Sequence, residues 1–210
     1  QLKDDQGAIA DYAKAIAVDP EFERAFRSSA VAKARLEDYQ GSIADLTKAI
    51  AIDPRNYINY LLRAIAKRRL QDYQGAISDY TKAISNNPTD SVSYLFRGRI
   101  MAGLKNYQGA VSDFAKVIAI DPGNADGYYE RAIARYYLKD FQGAVSDFNK
   151  VIASDAQYAN AHHNRGSAKN ALGDNRGACA DFRKEASLKG QTLAKYLESR
   201  LGAWCENLGF

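Results

Sequence analysis

The chain has 210 residues, 46% of them hydrophobic and 26% charged, which is enough apolar material for a core and too much for a disordered chain. Its 29 basic and 25 acidic residues leave a net charge of +4, too small an excess to nominate a nucleic-acid partner from composition. No apolar run reaches the roughly 18 residues that a membrane-spanning helix needs, and no signal peptide is visible.

A repeat governs the sequence. Pro20, Pro54, Pro88 and Pro122 are evenly spaced, and Ala156 and Gly190 continue the spacing with the proline lost. The segment before each recurs: QGAIADYAKAIAVDP over 6–20, QGSIADLTKAIAIDP over 40–54, QGAISDYTKAISNNP over 74–88, QGAVSDFAKVIAIDP over 108–122 and QGAVSDFNKVIASDA over 142–156. Residues 176–190 are a sixth, more divergent copy. Four columns never vary: glycine at 7, 41, 75, 109, 143 and 177; aspartate at 11, 45, 79, 113, 147 and 181; lysine at 14, 48, 82, 116, 150 and 184; leucine at 2, 36, 70, 104, 138 and 172.

In chain order, residues 1–22 read as the second helix (helix B) of a unit whose first helix (helix A) is missing. The start at Gln1 rather than Met points to a truncated N-terminus. The compartment stays open between cytoplasm and, in a bacterium, periplasm. Five full helix pairs follow, over 23–56, 57–90, 91–124, 125–158 and 159–190. In the pair 57–90, Tyr60, Ala64 and Lys67 share one face of helix A. Asp72 then sits where an N-cap opens helix B, as do Asp38, Asn106 and Asp140. Ala76, Ile77, Tyr80 and Ile84 make the apolar stripe of helix B, and the residue before Pro88 ends it by leaving the α region. Over 191–210, Leu193, Tyr196, Leu197, Leu201 and Trp204 share one helical face, the pattern of a helix that covers the last open surface of a stack.

At these residues the chain resembles the tetratricopeptide-repeat family. The resemblance rests on the 34-residue period, the aromatic at Phe26, Tyr60, Tyr94 and Tyr128, and the small residue four later (Ala30, Ala64, Gly98, Ala132). The Ala-x3-aromatic pairs Ala76/Tyr80 and Ala110/Phe114 add to it. It covers nearly the whole chain and implies an all-α fold, a right-handed α-solenoid of tandem helix-turn-helix repeats with a C-terminal capping helix, forming a single domain over 1–210. The family's signature positions are packing positions, so they say little about ligand.

Where the family usually carries leucine three residues after the helix A aromatic, this chain has Ser29, Arg63, Arg97, Arg131 and Arg165. An anion-binding ladder is one reading. The favoured reading is structural: each arginine buries its stem and pairs with an invariant helix B aspartate (Asp45, Asp79, Asp113 or Asp147) of the same or preceding unit. The invariant lysines read as solvated. The glycines open helix B beside a packed neighbour and read as points of close backbone approach, since no phosphate-loop motif accompanies them. His162 and His163 point about 100° apart on a helix and form no two-point metal site; His162 falls in the aromatic column and reads as core. No catalytic motif appears, so neither enzyme activity, cofactor nor metal is expected.

Cys179 and Cys205 lack zinc-ligand spacing. Two readings stand: two reduced, half-buried thiols, or a disulfide pinning the terminal helix, which would need an oxidising compartment. The register places Cys205 about one turn from the ideal partner of Cys179.

The resemblance implies that a ligand lies on the concave face lined by the helices A, whose columns vary between units as a ligand site should. Those columns are Arg24, Arg27, Val31, Ala34 and Arg35; then Ile58, Leu61, Leu62, Ile65, Arg68 and Arg69; then Val92, Leu95, Phe96, Arg99 and Ala102. Next come Asp126, Tyr129, Glu130, Ile133, Tyr136 and Tyr137, and last Asn160, His163, Asn164, Ser167 and Asn170. Such a groove runs from basic through apolar and aromatic to neutral polar. The implied partner is a protein or peptide segment with apolar anchors and some acidic residues. Self-association through the same surface is the alternative use. Arg27, Val31, Leu61 and Ile65 stand where binders of acidic chaperone tails carry a lysine and asparagine clamp, which disfavours that subfamily. A nucleic-acid-binding solenoid and the recognition arm of a larger enzyme remain as competing readings.

Overall fold

A computed structural model describes residues 2–190 together with Lys195 and Cys205. Among the described residues there are eleven helices and no strand: α1 (Leu2–Val18), α2 (Glu23–Arg35), α3 (Tyr39–Ile52), α4 (Tyr57–Arg69), α5 (Tyr73–Asn86), α6 (Ser91–Gly103), α7 (Tyr107–Ile120), α8 (Ala125–Tyr137), α9 (Phe141–Ser154), α10 (Ala159–Ala171) and α11 (Asn175–Leu188). The fold class is an α-solenoid of helix pairs, as the repeat predicts. The expected terminal helix over 191–210 lies outside the described residues, apart from Lys195 and Cys205.

The chain divides into two compact units, Gln1–Ile100 and Met101–Phe210. In the first, α1 packs on α2, α2 on α3, α3 on α4 and α4 on α5. Its core centres on Ala30, Leu46, Ala49, Ala64, Ala76, Tyr80 and Ala83, each no more than 1% exposed. In the second, α7 packs on α8, α8 on α9, α9 on α10 and α10 on α11, around Ala110, Phe114, Val117, Ala132, Ala144, Phe148, Ala161 and Phe182. On α3, α5, α9 and α11 one bulky side chain (Leu46, Tyr80, Phe148, Phe182) fills the space left by small residues on the helix A beside it, which is the large-against-small interdigitation that dense cores need. Gly166 shows how tight that packing is: a Cβ there would lie 2.8 Å from the Phe182 ring.

The turn between helix A and helix B fixes each pair. Leu36, Leu70, Leu138 and Leu172 end their helices. The next residue takes the left-handed conformation: Glu37, Gln71, Lys105, Lys139 and Gly173, with φ between 63° and 83°. The following amide then reaches back to the helix: Asp72 N–H donates to Lys67 O and Asp140 N–H to Arg135 O, both at 2.9 Å. This is a Schellman closure. The same Asp72 opens α5, its carboxylate accepting from Gly75 N–H at 2.9 Å; Asp38, Asp140 and Asp174 cap α3, α9 and α11 in the same way. The group nearest each of these invariant glycines is therefore the capping carboxylate, not the neighbouring helix expected from the sequence. A Cβ on Gly41, Gly75, Gly143 or Gly177 would stand 2.1 Å from it.

Candidate ligand grooves on the helix A faces

In the pairs α2/α3, α4/α5, α8/α9 and α10/α11, a helix B carboxylate holds the helix A beside it. Arg63 of α4 donates Nε and Nη2 to the two oxygens of Asp79 at 2.8 and 2.7 Å, and Lys67 reaches the same carboxylate at 2.8 Å. Asp147 receives Arg131 at 2.8 and 2.7 Å and Arg135 at 2.8 Å. Asp181 receives both ends of Arg165 and Lys169 at 2.9 Å. Where the arginine column holds serine, Ser29 donates to Asp45 at 2.6 Å beside Lys33, also at 2.6 Å. All these pairs join helices of one unit. Arg97 donates to Thr81 at 2.9 Å and lies 5.7 Å above its own Tyr94 ring; Asp113 is buried.

Two cations, or a cation and a hydroxyl, on one carboxylate satisfy its lone pairs as burial requires. Burial alone pushes the Asp181 carboxyl up, but the hydrogen bonds and charges of Arg165 and Lys169 together outweigh it and hold the group below the usual carboxylate range. Arg131 is raised above its ordinary value, chiefly by its hydrogen bonds to Asp147. The second cation of each set (Lys33, Lys67, Arg135, Lys169) went unread in the sequence, although it keeps the repeat's spacing. Met101 interrupts that column and hides it.

In the first unit, Val31, Ala34, Leu62 and Ile65 of α2 and α4 border a crevice of about 230 Å3 floored by Leu46, with Arg35, Arg69 and Tyr39 at its rim. A second crevice of about 390 Å3 lies between Tyr12, Arg27, Val31, Ile58 and Leu62. The basic residues here divide. Arg24 and Arg69 are exposed, whereas Arg27 is paired to Glu23 at 2.8 Å and Arg35 to Asp5 at 3.3 Å. Glu23 also accepts from Asn56 and Asn59 at 3.2 and 2.6 Å. Leu61, Ile65 and Phe96 pack against the core around Tyr80. Phe96 stacks on Tyr80 at 6.2 Å, and the guanidinia of Arg68 and Arg99 lie 5.0 and 5.8 Å from the Phe96 ring. Burial pushes the Tyr80 hydroxyl up to about 12 against the pull of Arg68. Leu95 is half-buried and Val92 exposed.

In the second unit the same positions engage one another. Tyr129 accepts from Asn164 at 2.9 Å and packs on Phe148 and Tyr158; burial, with Tyr158 and Glu130 nearby, raises it to about 12. Tyr137 stacks on Tyr107 at 4.8 Å, and Tyr136 packs edge-on against Phe141 and Tyr137. Ile133, Tyr136, Tyr137, Asn164 and Ser167 leave only about 100 Å3 over Phe148. His163 bonds Glu185 at 2.7 Å and faces Phe182, while His162 is buried, its Nε2 3.2 Å from Ala156 O. Neither Glu23 nor Glu185 is signalled by the repeat.

Cys179 and Cys205 are joined as a disulfide, with Cα atoms 5.6 Å apart. The invariant lysines are exposed. Among the described residues no cluster of His, Cys, Asp and Glu could hold a metal ion, and no helix is long and apolar enough to cross a membrane.

Comparison with known proteins places this geometry. The family profile described as tetratricopeptide repeat matches residues 61–125. No curated protein matches the sequence. Among solved structures, YrrB, described as a TPR protein with an unusual peptide-binding site, superposes with a TM-score of 0.80 at 15% identity, over 93% of this chain and 97% of that one. The C-terminal part of a TPR repeat-containing protein from Cytophaga hutchinsonii gives 0.78 at 20% identity, over 94% and 80%. MamA gives 0.77 at 20% identity, over 81% and 93%. At these identities the likeness is one of fold.

Proposed function

We propose, from the tetratricopeptide-repeat profile matched over 61–125 and the fold shared with TPR proteins, that the chain is a non-catalytic protein-interaction scaffold that holds a protein or peptide segment on its helix A faces. The observation that carries this reading is the crevice between α2 and α4. Val31, Leu62 and Ile65 present aliphatic surface to solvent there, under a rim that includes the exposed cation Arg69. An apolar cleft with a few charged groups at its edge is the usual form of a recognition site, and a solvated face has no need of those aliphatic side chains. The ligand that suits it is a segment with apolar anchors flanked by Asp or Glu. The peptide-binding site named for YrrB, a relative in fold, agrees with that use of the architecture. The tyrosine-rich face of the second unit is the secondary contact, since its rings already pack on one another.

The test is selection of a displayed random-peptide library on the 210-residue chain. Enriched sequences should combine apolar anchors with acidic residues. A Leu62→Glu/Arg69→Glu double variant that keeps the wild-type circular dichroism and thermal midpoint should lose them. Enriched peptides that bind the variant as well as wild type would defeat the groove assignment. Salt-sensitive binding of oligonucleotides lost in the same variant would favour the nucleic-acid reading.

A further inference from the structure

Position 80 departs from its column in a way the fold does not need. Leu46, Phe114, Phe148 and Phe182 fill the same place in other helices B and carry no polar atom. Tyr12, the one other tyrosine of the column, is half-exposed. Tyr80 is 0% exposed, and its hydroxyl has no hydrogen-bond partner among the described residues. Burying a hydroxyl in that way costs free energy that phenylalanine avoids.

A second departure stands beside it. The helix A column that reads Ala34, Ala102, Tyr136 and Asn170 in the other units holds Arg68 here. The Arg68 guanidinium lies 5.0 Å from the Phe96 ring, and its buried Nε has no hydrogen-bond partner among the described residues. Arg68 is near enough to the Tyr80 hydroxyl to oppose the upward push of burial on its pKa. Yet an arginine side chain carries donors only, so it cannot accept the hydroxyl proton. Two donors converge, and one acceptor serves both. An anionic acceptor also answers the Arg68 charge and makes the stronger hydrogen bonds.

We propose that Arg68 and Tyr80 form a carboxylate-binding subsite, where an Asp or Glu of the segment held on the helix A face accepts from the Arg68 guanidinium and the Tyr80 hydroxyl together. The subsite rests on the protein-binding groove proposed above. Arg68 is half-buried and meets the ligand first; Tyr80 lies behind it. Its place sets a spacing. Ile65 borders both the α2/α4 crevice and the core around Tyr80. Arg68 and Arg69, adjacent on α4, point about 100° apart: Arg69 is on the rim of the crevice, and Arg68 is against Phe96 of α6. A segment with an apolar side chain in the crevice must cross one helix, about 10 Å, to bring a carboxylate to Arg68. An extended chain covers that in about three residues. The ligand therefore carries an aliphatic and an acidic residue three positions apart.

The probes are N-acetylated, C-amidated peptides of serine and glycine with one leucine and one glutamate, set at each spacing up to five in both orders, and a twin set with glutamine for glutamate. They are titrated into the 210-residue chain carrying nitrogen-15-labelled arginine, and the Nε–H resonances are followed. The Arg68 resonance should shift saturably, and the glutamate peptide of three-residue spacing should bind about tenfold more tightly than its glutamine twin. Tyr80→Phe should cut that preference by about fivefold and keep the thermal midpoint or raise it, because phenylalanine fills the same column elsewhere. Arg68→Gln should abolish the preference and leave the affinity for the glutamine twin unchanged. Leu62→Glu/Arg69→Glu should lose both sets. Peptides lost in that double variant but bound without preference for glutamate, or with a preference that Tyr80→Phe or Arg68→Gln leaves intact, overturn the subsite and leave the groove standing. Peptides that bind nowhere, or bind the double variant as well as wild type, overturn groove and subsite together.

Discussion

In the first unit, α2 and α4 keep cations at the rim of an open aliphatic crevice; in the second, α8 and α10 fill the corresponding positions with tyrosines, an asparagine and a histidine that bond and stack within the chain. The crevices differ accordingly, about 230 Å3 against about 100 Å3. Beneath both faces the carboxylate anchor is the same: Asp79 holds Arg63 and Lys67, and Asp147 holds Arg131 and Arg135. A repeat protein can thus hold its framework constant in a few columns while others vary freely in chemistry, because each unit depends mainly on its neighbours.

The difference between units should be largest under reduction. The Cys179–Cys205 bond closes a loop of 26 residues in the second unit, and chain entropy assigns such a closure about 3.5 kcal/mol. Reduction, or Cys179→Ser/Cys205→Ser, should lower hydrogen-exchange protection of α11 amides by about 300-fold and leave α2–α4 unchanged. Equal loss in both units would mean that they unfold as one cooperative body.

The carboxylate anchors should behave alike instead. Asp79→Ala leaves Arg63 and Lys67, whose side chains are only 16% and 20% exposed, without their partner, and should cost roughly 3 kcal/mol in urea unfolding. Asp147→Ala should cost the same. A large effect in one unit and none in the other would show that the shared geometry does not carry shared energetics. The anchors also set acid sensitivity. The folded Asp181 carboxyl is held below its unfolded value, so its stabilisation is complete above about pH 4 and fades as pH falls through the lower, folded value.

The repeat made the fold legible, because a fixed period exposes every position that does the same work in each unit. Helix pairs, caps and the arginine–aspartate columns are of that kind. What escaped was singular. Glu23 pairs Arg27 one turn away within α2, and Glu185 pairs His163 where α11 crosses α10, yet neither glutamate belongs to an invariant column. Two residues read as basic groove, Arg27 and Arg35, are ion-paired, the first within α2 and the second to Asp5 of α1. The Cys179–Cys205 pairing joins a repeat position to one outside the repeats, which no period encodes.

The smallest effect concerns a position that carried no sequence signal at all. Glu37, Gln71, Lys105 and Lys139 occupy left-handed backbone, with φ from 63° to 65°, where a side chain costs energy that glycine avoids. The backbone is forced there by the closure it completes: Gln71 N–H bonds Arg68 O at 3.0 Å and Asp72 N–H bonds Lys67 O at 2.9 Å. Among these turn residues Gly173 alone is suited to the site. Gln71→Gly in the first unit and Lys139→Gly in the second should each raise stability, and Gly173→Ala should lower it, by about 1 kcal/mol after the greater unfolded-state entropy of glycine is offset. Thermal midpoints of the three variants check the sign. Because the turn is the same in both units, the two gains should match; a gain confined to one unit would mean that the turn's strain is relieved differently where the helix A face is open and where it is packed with tyrosine.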